Sequence, residues 1–173
     1  GGTVYGEAQS VPIPESAPTE PSSGYGVLKL SCEKYIQMYK QRHKVNATIA
    51  RVANPYGPGQ EIGRGQGLVA AFLGLAANGE TAMIFGDGQN VRDYIHIHDV
   101  AEALHRLAAA RSAPPVVNVG TGLGHSINDV LALVEKVSGS SIPVEYLPDR
   151  GFDVRTNVLD NRLLRQVTGI APR

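Results

Sequence analysis

Ala47-Thr48-Ile49-Ala50-Arg51-Val52-Ala53-Asn54-Pro55-Tyr56-Gly57-Pro58-Gly59 is the stretch whose reading decides the fold. Ala47 to Ala53 is rich in β-forming residues, and Asn54 to Gly59 is a strong stop, because proline and glycine punctuate regular structure. Upstream, residues 7–23 are polar and hold Pro12, Pro14, Pro18 and Pro21, which marks a loop. A helix is predicted from near Gly24, with Ser22 or Ser23 as its N-cap. Tyr25, Leu28, Cys32, Tyr35 and Tyr39 recur at three- and four-residue steps and form one helical face. Gly1 to Tyr5 reads as the tail of a strand that turns at Gly6. The order is therefore strand, loop, helix, strand.

Downstream the alternation continues. Gly63 to Gly67 is a glycine-rich loop, and Leu68, Val69, Phe72, Leu73 and Ala76 mark a helix ending at Asn78-Gly79. Ala82 to Phe85 is a short strand closed by Gly86-Asp87-Gly88. Tyr94 to His98 alternates apolar and polar, and Asp99 is placed to cap a helix striped by Val100, Ala103, Leu104 and Leu107. Val116 to Val119 is a buried-type strand ending at Gly120-Thr121-Gly122. Ser126-x-x-Asp129 is a capping-box pattern, followed by a helix lined by Ile127, Val130, Leu131, Val134 and Val137. Pro143 to Leu147 is a strand, and Asn161 to Val167 a short helix. Strands alternating with helices predict an α/β fold with a largely parallel sheet.

Composition narrows the function classes. The chain has 173 residues, 42% hydrophobic and 18% charged, which is ordinary globular usage. Sixteen basic and sixteen acidic residues cancel, leaving no footprint for nucleic acid or an anionic membrane. One cysteine, Cys32, excludes an internal disulfide framework and a cysteine-cluster metal site. The longest uncharged apolar-and-glycine run, Gly67 to Ala77, is about half of the ~20 residues a membrane span needs. No signal peptide is visible at Gly1 to Gly6. A cytoplasmic location is expected.

The sharpest chemical pair is Tyr25 and Lys29. Residues i and i+4 share a helix face, and an ammonium beside a phenol favours the phenolate. A free tyrosine titrates near ~10, so poising it near 7 takes roughly 4 kcal/mol of differential stabilisation. The product is a base that takes a proton from an alcohol while hydride leaves its carbon. The same spacing also suits an amphipathic helix with a snorkelling lysine. His96 and His98 alternate on a strand, but no third ligand follows at metal spacing, so no metal site is expected. Gly63-x-Gly65-x-Gly67 and Gly120-x-Gly122-x-Gly124 both lack the Gly-x-Gly-x-x-Gly spacing of a dinucleotide fingerprint.

Gly2-Thr3-Val4-Tyr5-Gly6, about twenty residues before Tyr25-Gly26-Val27-Leu28-Lys29, resembles the extended short-chain dehydrogenase/reductase superfamily. The nearest branch is that of the NAD-dependent nucleotide-sugar epimerases and dehydratases, typified by the UDP-glucose 4-epimerases. Arg51-Val52-Ala53-Asn54-Pro55-Tyr56-Gly57-Pro58 is similar to the family's strand-to-loop exit past the cofactor. Ile84-Phe85-Gly86-Asp87-Gly88 followed by Val91-Arg92-Asp93-Tyr94-Ile95-His96 is similar to its C-terminal signature. Asn118-Val119-Gly120-Thr121-Gly122 and Arg150-Gly151-Phe152-Asp153 fall in the same order as in the family. The resemblance covers nearly the whole chain.

It implies residue roles. Tyr25 is the acid/base on a sugar hydroxyl, and Lys29 holds the nicotinamide ribose, so both also bind NAD. The family's catalytic Ser or Thr falls on Gly1, a departure. Thr3 is the nearest hydroxyl, about 6.5 Å along a strand, and is the substitute expected. Asn54 contacts the cofactor and the nucleotide-sugar, and Phe85 belongs to the substrate site. Arg92 and Arg150 grip the diphosphate, and Asp153 accepts from ribose. That agrees with the bidentate match of guanidinium to phosphate and of carboxylate to a diol. Without the resemblance, Arg92 reads as a surface partner of Asp93 or Asp87, and Arg150 with Asp153 as a surface ion pair.

The implied fold is the C-terminal half of a Rossmann-type parallel sheet with a small α/β substrate-binding subdomain. Residues 1–60, completed by 91–112, make the partial NAD-binding domain; 61–90 and 113–173 make the nucleotide-sugar-binding subdomain. The family's glycine fingerprint normally lies about a hundred residues before the first residue here, and a final helix is still to come after Arg173. The chain is therefore expected to be a fragment, inactive alone, with an uncovered strand edge that favours a homo-oligomer. The expected activity is NAD-dependent C4 epimerisation of a UDP-sugar or other nucleotide-sugar through a 4-keto sugar. A dehydratase of the family carries an Asp-Glu pair where Gly2 and Thr3 stand here, which disfavours 4,6-elimination. A dehydratase, a decarboxylase or a non-catalytic nucleotide-sugar binder remain the alternatives. Residues 59–67 are the expected wall that selects the sugar.

Overall fold

The structure, a computed structural model, describes residues 1–61, 67–110, 112–151 and 153–172. The Gly63–Gly67 loop expected from sequence, apart from Gly67, and Phe152 lie outside the described residues.

The chain opens with a 3-10 turn over Gly2–Tyr5, then α1 (Gly24–His43), β1 (Ile49–Val52), β2 (Asn54–Tyr56), α2 (Leu68–Asn78) and β3 (Ala82–Phe85). It continues with β4 (Val91–His96), α3 (Ile97–Ala109), β5 (Val116–Val119), β6 (Gly124–Ser126) and α4 (Ile127–Ser138). It closes with β7 (Val144–Leu147), β8 (Thr156–Asn157) and α5 (Arg162–Thr168). The fold is mixed α/β with mostly parallel pairing. β1 pairs with β5, β3 with β7, and β4 with β2 and β8, all parallel; β4 and β6 are antiparallel.

Several local expectations change, among them the strand placement of His98, which lies in α3. Gly1 to Tyr5 is not a strand tail, because Gly2–Tyr5 winds into the 3-10 turn. Asn54–Tyr56 is not only a stop; it forms β2, an edge strand where Pro55 needs no ladder donor on its open side. Asp99 does not cap α3. His96 takes that position with extended backbone, and its Nδ1 accepts from His98 N at 3.3 Å, leaving Asp99 in the first turn, where a carboxylate suits the helix dipole. Val137 faces solvent at 82% exposure rather than lining α4's packed face.

Two apolar clusters hold these elements. The first gathers Val4, Tyr5, Ile13, Ala53, Ile95, Val100, Ala103, Leu107, Val117, Val119, Leu159 and Leu164. The second gathers Phe72, Ala76, Ala82, Ile84, Val130, Leu131, Val134 and Ile142. Residues 113–173 thus contribute to both. α4 enters the second cluster through its capping box, with Ser126 Oγ accepting from Asp129 N and Asp129 Oδ2 accepting from Ser126 N. Leu73 and Leu104, read as stripe residues, are exposed.

Candidate functional site

Ser23 Oγ accepts from Gly26 N at 3.1 Å, so α1 starts where the cap pattern placed it. That puts Tyr25 in the first turn and Lys29 one turn on. Lys29 Nζ lies 5.3 Å from the centroid of the Tyr25 ring, within cation–π range. Both residues are exposed. Gly26 between them is buried, and a Cβ there would lie 2.7 Å from the Thr3 carbonyl and 2.8 Å from Pro21 Cβ. Only a glycine lets the first turn of α1 settle on Thr3. Because Gly2–Tyr5 is a 3-10 turn, Thr3 is drawn to roughly 4 Å of axial rise from Gly1 rather than a strand's spacing. Thr3 is exposed and meets α1 through its carbonyl. Gly1 itself has no room for a hydroxyl-bearing side chain, since a Cβ would run into the Arg51–Val52 backbone.

α1 is held by polar groups that local pattern did not reveal. Glu33 is buried on the helix and accepts from Arg51 Nε at 2.9 Å and Arg51 Nη2 at 2.7 Å. The Arg51 guanidinium also lies over the Tyr5 ring at 4.7 Å, and Tyr5 OH donates to Asn118 Oδ1 at 2.7 Å. Burial pulls the Arg51 guanidinium down, but its hydrogen bonds to Glu33 and Tyr5 outweigh that and hold it above its ordinary value. Burial pushes the Tyr5 phenol up. The apolar face read from the sequence turns outward instead: Tyr25, Leu28, Cys32, Tyr35 and Tyr39 are all exposed.

Three of the residues singled out for substrate, Phe85, Arg150 and Asp153, touch at a second place, and the Asp153 charge reaches a fourth, Arg92. The Arg150 guanidinium stacks over the Phe85 ring at 4.4 Å. Arg150 Nε and Nη2 both reach Asp153 Oδ2 at 3.1 Å. Asp153 in turn acts electrostatically on Arg92. Burial lowers the Arg92 guanidinium, while Tyr94, Asp153 and Glu7 pull it back up. Arg92 pairs with neither Asp93 nor Asp87 as a surface ion pair; its Nη1 donates to the Val91 carbonyl at 2.8 Å. Asn54, on β2, donates its Nδ2 to the Asp93 carbonyl at 2.9 Å, opposite Tyr94 in the β2–β4 register. An aromatic face, two guanidiniums and a carboxylate together can hold a flat ring, an anion and a diol.

Asn157 links the two places. It sits opposite Arg92 in the β4–β8 register, and its Nδ2 donates to Gly2 O at 2.9 Å on the turn that supports α1. Asp93 was read only as a neighbour of Arg92, yet it is fully buried and organises β4's surroundings. Its carboxylate accepts from Thr121 N at 3.0 Å, Thr121 Oγ1 at 2.7 Å, Gly122 N at 3.2 Å and Leu159 N at 3.3 Å. The Arg92-Asp93 dipeptide was the available signal; which backbone amides Asp93 would meet was not written locally. His96 and His98 stack edge to face at 4.8 Å, and His96 serves as the α3 cap.

Among the described residues no helix is long and apolar enough to cross a membrane. The chain is 34% identical over all 173 residues to UDP-glucose 4-epimerase of Mycolicibacterium smegmatis, covering 55% of it. It superimposes on the crystal structure of UDP-glucose 4-epimerase from Thermotoga maritima with UDP-glucose at a TM-score of 0.93 and 37% identity, over 100% of this chain and 56% of that one. It also matches a dTDP-glucose 4,6-dehydratase from Streptomyces venezuelae with NAD bound, at TM-score 0.90 and 26% identity, over 99% of this chain and 53% of that one. The chain therefore spans about half the length of the relatives it matches. The described strands fall into three sheets, β1–β5, β2–β4–β6 with β8, and β3–β7, rather than one, and match those Rossmann-type structures over the half they share. Residues 1–120 match the NAD dependent epimerase/dehydratase family, and with the fold and motif order above, the chain belongs to that family.

Proposed function

We propose that this chain carries the acid/base helix and the nucleotide-sugar grip of an NAD-dependent C4 epimerase, with activity only in a polypeptide of the relatives' full length. The observation that carries the reading is the contact of Phe85, Arg150 and Asp153, with Arg92 opposite Asn157, whose Nδ2 bonds the turn beneath Tyr25 and Lys29. The residues present fit the cofactor's near side: a phenol and an ammonium on one helix face offer a hydroxyl and a cation to a ribose diol. Tyr25 and Lys29 would hold it there, and Asn54, on β2, is the third residue we assign to it. A bound NAD would supply the acceptor, and then the donor, of the hydride on the sugar's C4.

Tyr25 accepts the proton of the C4 hydroxyl as that carbon is oxidised and gives it back when the 4-keto sugar is reduced on its other face. Lys29 stabilises the phenolate. Arg92 and Arg150 neutralise the diphosphate, Asp153 accepts from a ribose hydroxyl, and Phe85 supports the base. Gly1 supplies no hydroxyl, and Thr3, the nearest hydroxyl to it along the chain, is the group we assign to steady the sugar oxygen. Gly2 and Thr3 offer no carboxylate for elimination, which supports epimerase over dehydratase. The outward side of α1, where Leu28, Tyr35 and Tyr39 are exposed, favours a homo-oligomer. Incubating the full-length protein with UDP-glucose and UDP-N-acetylglucosamine tests the reading. A C4-inverted product and a transient keto sugar are expected; a 4-keto-6-deoxy product, or no turnover with NAD present, would contradict it.

A further inference from the structure

The segment between β7 and β8, residues 148–155, forms no helix or strand among its described residues, yet it carries Arg150 and Asp153. Two side-chain contacts tie it to the end of β3 and the turn that follows, beside backbone bonds from Arg155 N to Glu7 Oε2 at 3.3 Å and from Val91 N to the Arg155 carbonyl at 2.9 Å. Arg150 stacks on Phe85, the last residue of β3. Two residues further along that turn, Asp87 meets Arg155 fork to fork: Nη1 to Oδ1 at 2.8 Å and Nη2 to Oδ2 at 2.8 Å. Arg155 Nη1 also reaches Asn90 Oδ1 at 3.4 Å.

Asp87 is presented by a rigid turn. Glycines with positive φ flank it at 86 and 88, its Oδ1 accepts from Gln89 N at 2.9 Å, and its carbonyl accepts from Asn128 Nδ2 of α4 at 3.0 Å. Arg155 is fixed at its backbone, where its carbonyl accepts from Val91 N at 2.9 Å, next to Arg92. The Asp87 carboxyl is held down to about 2, chiefly by its hydrogen bond to Arg155, so the pair is charged throughout the neutral range.

We propose that Asp87 and Arg155 are positioning residues that clasp segment 148–155 onto the β3–β4 turn and so set where Arg150 and Asp153 stand relative to Phe85 and Arg92. The function of the clasp rests on the nucleotide-sugar reading above. A bidentate guanidinium–carboxylate pair fixes both distance and plane, which a point charge does not. The two side chains are 53% and 58% exposed, so replacing them leaves the clusters untouched and changes placement rather than folding.

The test uses the full-length protein, titrated with UDP in a calorimeter, as wild type, Asp87→Ala, Arg155→Ala and the charge swap Asp87→Arg/Arg155→Asp. Each single variant is expected to bind UDP roughly tenfold more weakly, because misplacing a gripping group by a fraction of an ångström is costly, and the swap to restore much of the loss. Unchanged affinity in both single variants would overturn the proposal. So would tighter binding by Asp87→Ala, which would make Arg155 a phosphate ligand released from its partner. Hydrogen exchange across 148–155 reads the clasp without ligand: faster in both singles and slowed again in the swap supports it, and no change overturns it. If the wild type binds no UDP, the nucleotide-sugar reading fails, and the exchange result alone decides the clasp.

Discussion

α1 and the α2–α4 pair are attached to the molecule by opposite means. Phe72 and Ala76 of α2 face Val130, Leu131 and Val134 of α4 across an apolar cluster closed by Ala82, Ile84 and Ile142. α1, though longer, buries only Gly26 and Glu33, with Leu30 packed partly against the first cluster. Apolar burial is spread over many contacts and has no direction. A buried ion pair is local and directional. The helix that carries Tyr25 and Lys29 therefore takes its position from few contacts: Gly26 on Thr3 and Pro21, and Glu33 on Arg51.

That contrast is open to breaking. Glu33→Ala leaves the Arg51 guanidinium buried and unpaired, and is expected to cost about 3–5 kcal/mol in a urea titration. Phe72→Ala opens a cavity in the other cluster at a similar cost of about 3–5 kcal/mol. The two differ in rescue. Glu33→Leu with Arg51→Met should recover most of the loss, because removing both charges ends the desolvation penalty. If the double variant is no more stable than Glu33→Ala, the loss in Glu33→Ala is not that of an unpaired buried charge.

Asp93→Asn is the next largest effect, about 1–3 kcal/mol, since an amide nitrogen would face donors that now point at a carboxylate oxygen. A loss below a few tenths would mean that the Thr121, Gly122 and Leu159 amides find other partners.

Acid gives the smallest effect near neutrality and sharpens the comparison at the polar rim. The Asp87 carboxyl is held down to about 2, first by the Arg155 hydrogen bond; Asp129 is lowered by Ser126 and Asp160 by Arg162. Carboxyls depressed by folding contribute stability that is whole above their unfolded value of 3.8 and is lost as pH falls through the folded values. The urea midpoint should therefore hold from pH 7 to about 5 and decline between about 4 and 2. A decline that begins near pH 6 would show that groups other than these carboxyls set the acid response.

Most of the fold was legible because its signals are local. Ser23 and the Ser126-Asp129 box announce their helices within one turn, and Ile49–Val52 and Val116–Val119 are short β-rich runs that pair in register. Periodicity gave the apolar face of α1 but not what lies against it, so Tyr35 and Tyr39 turned out exposed. Val137 fits α4's spacing yet lies in its last turn and faces solvent. The 3-10 turn at Gly2–Tyr5 depends on contacts with Asn157 and β1, far along the chain. The site shows the same division. The motifs brought Phe85, Arg92, Arg150 and Asp153 to notice, whereas Arg155 and Asp87 lie 68 positions apart with nothing local to join them. Glu33 and Arg51 escaped for the same reason, an acidic residue on a helix being ordinary until its partner is seen.

Tyr25→Phe in the full-length protein, assayed for C4 inversion of UDP-glucose, tests the central claim most directly. Tyr25 is 54% exposed, so the change leaves folding intact. Removing one acid/base hydroxyl should lower kcat by about 10²–10⁴ while KM moves little. A variant that keeps kcat within about fivefold of wild type would show that the proton is moved by some other group.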